Sequence, residues 1–501
     1  MTQVEPLGVA VIGAGFGGIG MAIRLKQSGR NDFLLIEQAG DIGGTWRDNR
    51  YPGCACDIPA SLYSFSFATN GAWSRRYPTQ AEILAYLHDC VDRFGIRPHL
   101  RLGQRLEEAA FDIDEAVWRL RLADGSALVA RALVVSVGQL HSPSIPDFAG
   151  LERFSGPSFH SSRWDPAIDL TGKRVAVIGT GASAIQFVPQ IAPAAASVTL
   201  YQRTASWILP KQDPVAGRLR RWIFSRSAPL RRLVRTWTFL AHDARAVGFV
   251  WAPSLLTAVE RRARSFAKRE LDDGALREAV TPDYRIGCKR VLLSNDFLAA
   301  LNRPNVSVVT DGIDAVTSQA IVTADGSVRP ADVLIFATGF RATESMSGLR
   351  ITGPSGRTLT DAWRDGMKAR LGVAVAGFPN LFLLGGPNTG LGHNSVVFML
   401  EAQIGHILRC IRLLRTRRVL EVRADAQARF LAWLDRRMSR TVWLSGCRSW
   451  YLDRSGRNTT LWPGFAAGYW LRLRLPAGRA YRAGSGVVEE DAAAHGSTPN
   501  R

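Results

Sequence analysis

Two short glycine-rich runs in this chain have the residue types and spacing needed to hold the phosphates of a dinucleotide: Gly13-Ala14-Gly15-Phe16-Gly17-Gly18 and Gly179-Thr180-Gly181-Ala182-Ser183-Ala184. In each run the first glycine permits a tight turn, and the second lets the backbone approach a pyrophosphate at a helix N-terminus. The third small residue, Gly18 or Ala184, lets the helix pack closely on a sheet. The position 24 residues after the first glycine differs in charge, being Glu37 in one run and Arg203 in the other. A carboxylate accepts from both hydroxyls of an unphosphorylated ribose and repels a 2′-phosphate, whereas an arginine meets that phosphate with charge-assisted hydrogen bonds. The pair therefore suggests FAD held at the first run and NADPH visiting the second as reductant, which makes a flavoprotein.

Such runs work only between the right elements. Val9–Ile12 leads into the first, a helically spaced set (Ile19, Ala22, Ile23) follows it, and Phe33–Ile36 ends at Glu37. Arg174–Ile178 leads into the second, followed by Ile185, Val188 and Ile191 and then Val198–Tyr201. A glycine run alone is weak evidence; strand, turn, helix, strand and terminal charge, found twice, is strong. The fold class expected is α/β, with two Rossmann-like dinucleotide-binding domains, one for FAD and one for NADP, and a helical insertion.

Where electrons go after a flavin depends on what surrounds it. Cys54-Ala55-Cys56 is the only close cysteine pair, and its single-residue spacing makes a strained bridge unlike that of a disulfide reductase. The six cysteines suggest neither a disulfide framework nor zinc ligands, so a reduced cytoplasm is expected, and the few scattered histidines predict no metal site. The junction between the two glycine runs reads Phe154-x-Gly156-xxx-His160-xxx-Trp164-Asp165.

That junction resembles the fingerprint of type I Baeyer–Villiger monooxygenases, class B flavoprotein monooxygenases related to the flavin-containing monooxygenases; Trp164 followed by Asp165 favours the Baeyer–Villiger branch. Further segments resemble the family in order: Gly43-Gly44-Thr45-Trp46, Tyr51-Pro52-Gly53, Cys56-Asp57, Tyr63–Phe67, Gly287-Cys288-Lys289-Arg290, Ala337–Phe340, Gly377–Phe382, Gly386–His393 and Ser449-Trp450. The resemblance implies FAD and NADPH as cofactors, O2 adding to the reduced flavin as a C4a-peroxyflavin, and insertion of one oxygen beside a ketone carbonyl to give an ester or lactone. It implies Arg290 as the permanent cation beside that peroxide and Asp57 as the carboxylate that positions Arg290 and assists the nicotinamide. Phe16, Thr45, Trp46 and Tyr63 are implied on the flavin side. Lys289 and Thr204 are implied to join Arg203 at the NADP 2′-phosphate, and Trp450 to contact NADP and the substrate pocket. The linker reading is that Gly156 permits an unusual backbone angle while His160 and Trp164 lock the segment by hydrogen bonding and packing. A heteroatom oxygenase acting on amines or sulfides, and a flavin electron-transfer reductase, are the alternatives.

At 501 residues and 46% hydrophobic content the chain suits two or three cores. Its first strand begins too close to Met1 for a cleavable leader, and its apolar runs fall short of the roughly 18–20 residues of a membrane span. The +20 net charge has no nucleic-acid motif beside it, and seven arginines with no Asp or Glu lie between Pro214 and His242, interleaved with aromatic and aliphatic residues. The ordinary reading is a helical subdomain with a solvated basic face; the sharper one is a patch that touches a membrane surface and gathers apolar substrate. The organisation expected is an FAD domain over 1–150 and 375–488, an NADP domain over 151–210 and 285–374, helices over 211–284, and a disordered tail at 489–501.

Overall fold

The computed structural model describes residues 5–346, 348–475 and 480–484. The chain opens with β1 (Leu7–Ile12), α1 (Phe16–Gln27) and β2 (Phe33–Ile36), then the short α2 (Thr45–Asp48) and α3 (Gln80–Arg93). Strands β3 (Leu100–Arg101), β4 (Leu106–Asp112), β5 (Val117–Leu122) and β6 (Ala127–Val135) follow. Next come β7 (Ser158–His160), β8 (Arg174–Ile178), α4 (Ala184–Ile191), β9 (Ser197–Tyr201) and β10 (Ile208–Leu209). Helices α5 (Arg218–Arg226), α6 (Ala228–Ala244), α7 (Leu256–Glu270) and α8 (Gly274–Ala279) separate β10 from its parallel partner β11 (Leu292–Leu293). The chain continues through α9 (Phe297–Leu301), β12 (Val306–Val309), β13 (Ile313–Val316), β14 (Ala320–Thr323), β15 (Val328–Pro330) and β16 (Val333–Phe336). It ends with β17 (Arg350–Thr352), α10 (Leu359–Ala362), β18 (Leu381–Leu383), α11 (Val396–Leu413), β19 (Val419–Val422), α12 (Ala424–Met438), α13 (Ala466–Arg474) and β20 (Tyr481–Gly484).

Two sheets organise these elements. The first has the order β17-β4-β5-β6-β1-β2-β3, with β18 also paired to β6. At its centre β1 runs parallel to β2 and β6, Val9 lying opposite Phe33 and Ala132. The second sheet, β12-β9-β8-β16-β7, is wholly parallel. Its strand β16 is buried along its whole length, as expected of a parallel strand covered on both faces. The fold is the α/β arrangement of two Rossmann-like sheets expected from the sequence.

Three features depart from the sequence reading. Arg350–Thr352 pairs with β4, so the chain rejoins the first sheet before residue 375; a three-residue edge strand is too short to show alternation. The linker contributes β7 to the edge of the second sheet rather than only connecting the two. Cys288 and Cys447, 159 residues apart, form a disulfide where no bridge was expected, because pairing over such a separation leaves no spacing signal. Cys54, Cys56, Cys90 and Cys410 are free and buried. Among the described residues no helix is long and apolar enough to cross a membrane. The tail expected at 489–501 lies outside the described residues.

Candidate active site

The first glycine run turns directly from β1 into α1. Gly13 has φ +98°, and a Cβ there would stand 2.5 Å from the Ser136 carbonyl oxygen; Gly18 lies so close to the Gly13 carbonyl that any side chain would collide. A Cβ on Gly15 would meet only the Gly44 Cα, at 4.0 Å, and one on Gly44 would stand 3.3 Å from the Gly15 Cα, so two glycine backbones face each other closely. With no side chain on either, a phosphate can approach backbone N–H groups at the N-terminus of α1. Glu37 is buried at the end of β2, where Oε2 accepts from Ala14 N (2.8 Å) and Oε1 from Ala39 N (3.0 Å) and Arg47 Nη1 (3.1 Å). Three of its roughly four acceptor sites are thus already used, and a ribose diol taking two must displace the Arg47 contact. Arg47 also lines a cleft of about 590 Å3 with Asp48, Arg163, Trp164 and Asp165.

The flavin-side aromatics form one cluster. Thr45 opens α2 after Gly43 and Gly44, both at positive φ, and Trp46 Nε1 donates to the Tyr63 hydroxyl at 3.0 Å. The Phe16 and Trp46 rings each meet Tyr63 edge-on, at 5.1 and 5.5 Å. Facing the return loop at Gly386–His393, Asn388 N and Gly390 N donate to the Thr459 and Thr460 carbonyls. The Thr459 and Thr460 hydroxyls and the Asn458 side-chain amide nitrogen are buried with no hydrogen-bond partner. The glycine cradle and the buried Glu37 carboxylate suit a polar, phosphate-bearing cofactor.

The second run repeats the first with one change. Gly179 has φ +103°, and a Cβ would lie 2.6 Å from the Ala337 carbonyl oxygen. Ala182 and Ser183 form a turn, so α4 starts at Ala184, five residues after Gly179, whereas α1 starts three after Gly13. Thr180 Oγ1 donates to the Thr204 carbonyl at 3.3 Å, tying the run to the end of β9, where Arg203 is exposed. Burial, and then the nearby Arg203 guanidinium, hold the Lys289 ammonium below its ordinary pKa. Two cations placed near enough to repel, at the edge of a glycine turn, form a site for a phosphate dianion.

Asp57 and Arg290, 233 residues apart, meet as an ion pair. Both Arg290 Nη2 (2.6 Å) and Nε (2.8 Å) reach Asp57 Oδ2, with the side chains 30% and 28% exposed. The Asp57 charge is the largest reason the Arg290 pKa is raised, so the guanidinium is a permanent cation. Tyr451, fully buried, has its phenol pushed up to about 12 by burial while Arg290 pulls it back down. Its neighbour Trp450 is 41% exposed and stacks obliquely on it at 4.6 Å. The Cys288–Cys447 bridge fastens the segment before Lys289-Arg290 to the one leading into Trp450.

Gln186 was missed in the sequence. Its amide on α4 receives Tyr51 OH (3.2 Å) and Ala55 N (3.3 Å) and donates to Ala55 O (3.0 Å). It therefore pins the second glycine run's helix to the loop that carries Asp57. A lone glutamine in an apolar helical pattern was the only available signal.

The linker behaves differently from expectation at one position. Gly156 is not at positive φ; it is required because a Cβ would stand 2.1 Å from the Asp332 carbonyl oxygen, a close approach rather than an unusual angle. Phe154 packs with the core of the second sheet. His160 is buried and accepts at Nδ1 from Ser162 N (3.2 Å), and burial lowers its pKa to about 4, so it is neutral. Trp164 is buried edge-on to Phe159 and against Phe187 of α4, while Asp165 is exposed and caps the turn at Ala167 N.

Two Rossmann-like folds, one ending in a carboxylate and one in an arginine, with a charged pair at their junction, define a two-dinucleotide oxidoreductase. A model of the pyridine nucleotide-disulphide oxidoreductase family matches residues 10–236. A Baeyer-Villiger monooxygenase of Pseudomonas aeruginosa is 47% identical over 461 residues, 91% of this chain and 88% of that one. One of Streptomyces coelicolor is 45% identical over 467 residues, 92% and 90% of the two chains. The solved structure of OTEMO in complex with FAD and NADP superposes with a TM-score of 0.88 at 27% identity, covering 96% of this chain and all of that one. The chain belongs to the Baeyer–Villiger monooxygenases.

Proposed function

We propose that this enzyme uses NADPH and O2 to insert one oxygen atom beside the carbonyl of a small-molecule ketone, giving an ester or lactone, with FAD held at the first glycine run and NADPH at the second. The bound flavin, once reduced, supplies the electrons that activate O2. The chain's own residues do the rest. The Gly13–Gly18 cradle and Glu37 hold the FAD phosphates and ribose; Thr45, Trp46 and Tyr63 wall its aromatic side. Gly179–Ala184 receives the NADPH pyrophosphate, and Arg203, Thr204 and Lys289 its 2′-phosphate.

The observation that carries this reading is the Asp57–Arg290 pair, drawn together across 233 residues of sequence. Arg290 holds a positive charge where oxygen chemistry on a carbonyl builds negative charge, and a preorganised cation there lowers the barrier. Asp57 fixes the guanidinium's direction. Trp450, on the segment bridged to Cys288, is assigned the contact with NADPH and substrate, a role supported by its exposure beside the buried Tyr451.

The FAD part is proposed as 1–150 with 375–488 and the NADP part as 151–210 with 285–374, apart from β17. A cytoplasmic location is proposed on the four free thiols among the described residues, Cys54, Cys56, Cys90 and Cys410. The test is Arg290→Ala: FAD content should stay stoichiometric while ester formation falls about 100–1,000-fold, the usual loss for one preorganised donor. Full retained ketone oxidation would remove Arg290 from the chemistry.

A further inference from the structure

Helix α6 divides its side chains unusually: Phe239 packs against Phe398 of the body (4.4 Å), yet further apolar side chains face outward and two arginines face inward. A helix lying on a protein normally buries its apolar stripe and shows water its charges. Here the inward face carries Arg231 and Arg235: Arg231 Nε donates to Thr69 Oγ1 (3.0 Å), and Arg235 Nη1 donates to the carbonyls of Ser61 (2.7 Å) and Ser64 (2.9 Å). Arg235 also faces Glu401 Oε2 at 3.6 Å. The outward face carries Leu233, Trp237 and Leu240, at helical spacing, with Trp237 73% exposed. Helix α5 has no buried residue and adds Leu219 and Trp222 to the exposed apolar surface, between exposed arginines. This departs from the ordinary expectation of a solvated basic face: on α6 two of the arginines serve inside, while Leu233, Trp237 and Leu240 stand outside beside the exposed Arg232.

We infer that the outer face of α5 and α6 is a docking surface for an anionic lipid bilayer. Charge complementarity selects this occupant. With five exposed arginines (Arg218, Arg220, Arg221, Arg226 and Arg232) and no carboxylate between Pro214 and His242, two copies of the face would repel across a symmetric interface. Exposed tryptophan and leucine among arginines match the interfacial zone of a membrane, where indole rings settle at headgroup depth and guanidinium groups meet lipid phosphates. Asp243, at the C-terminal end of α6, accepts from Ala466 N (2.7 Å) and Ala467 N (3.2 Å), anchoring the helix to the body so that its outer face stays presented. A ketone dissolved in the bilayer would then be delivered to an enzyme already at its surface; this last consequence rests on the proposed function, whereas the docking itself does not.

The experiment is flotation of the full-length, FAD-loaded enzyme with vesicles of phosphatidylcholine alone or mixed with phosphatidylglycerol. The expected result is binding to the mixed vesicles at 0.1 M salt, several-fold weaker at 0.5 M, with little binding to phosphatidylcholine alone. The double variant Leu233→Ser/Trp237→Ser should bind roughly tenfold less while its flavin content and turnover of a water-soluble ketone stay unchanged. As a check on variants that keep an apolar face, brominated lipid should quench wild-type tryptophan fluorescence more than that of Trp222→Phe/Trp237→Phe. No flotation with the anionic vesicles, equal binding of the double variant, or a lipid-free dimer that the double variant splits would each overturn the inference. Failure to oxidise any ketone with flotation intact would leave docking standing and refute the proposed function alone.

Discussion

Replacing Asp57 isolates the pairing that joins the first part of the chain to its middle, 233 residues on. Asp57 Oδ2 accepts a hydrogen bond from Arg290 Nε at 2.8 Å and lies in ion-pair contact with Nη2 at 2.6 Å, and each side chain is about 30% exposed. A hydrogen bond to a charged group contributes about 1.5–3 kcal/mol, and water reaching a third of each side chain trims the pair toward the lower part of that range. Taking about 2 kcal/mol for the lost orientation of Arg290 gives roughly a 30-fold loss in the step that depends on it, at about 1.4 kcal/mol per decade. Asp57→Ala should therefore slow ester formation about 30-fold without loss of FAD, and Asp57→Asn, which keeps an acceptor but not the charge, should fall between it and wild type. The assay is a single turnover: flavin reduction by NADPH in the absence of air, then product yield after O2 is admitted. Because Arg290 remains a cation in both variants, the loss should not be recovered at any pH between 6 and 9. Oxygenation by Asp57→Ala within twofold of wild type would refute the positioning role.

Arg203→Gln should raise the NADPH KM about tenfold or more and leave the NADH KM unchanged, through loss of a charge-assisted contact to the 2′-phosphate; equal effects on both would contradict that contact. Gln186→Ala removes three hydrogen bonds between α4 and the Asp57 loop and should cost about 1–2 kcal/mol by urea denaturation, with slower flavin reduction by NADPH; an unchanged reduction rate would separate α4 from the site. His160, His242 and His406 all have pKa values lowered to about 4 by burial, against about 6.5 unfolded. Their stabilising contribution is whole above pH 6.5 and is lost as pH falls toward 4, on the order of 1–2 kcal/mol each by pH 5. Melting temperatures that stay level from pH 7.5 to 5 would show that these rings are not held neutral.

The sequence made legible what depends on residue type at a fixed offset from a strand. Gly13, Gly18 and Gly179 are glycines because carbonyl oxygens stand where a Cβ would be, and Glu37 and Arg203 end the strands whose register the apolar runs announce. Asp57, Arg290 and Lys289 came from resemblance, since nothing local says that residues 57 and 290 meet. What stayed hidden depends on long-range packing. The edge strands β7 and β17 have three residues each, too few to show a period. Gly156 was read as a hinge angle when its reason is a neighbouring strand. The Cys288–Cys447 bridge and the Gln186 contacts each join segments more than 130 residues apart. Composition showed that α6 is basic and apolar, but only its packing shows which face looks outward.

The central claim is that this enzyme places one atom of O2 beside a ketone carbonyl at the expense of one NADPH. The direct measurement supplies the purified, FAD-loaded enzyme with NADPH and 18O2 in the presence of cyclic, aryl and steroid ketones, and follows products by mass spectrometry. An ester or lactone carrying one 18O per NADPH consumed is expected for at least one ketone, formed about 100–1,000-fold more slowly by Arg290→Ala. NADPH consumption that yields only hydrogen peroxide with every ketone, or label that enters only amines or sulfides, would contradict it.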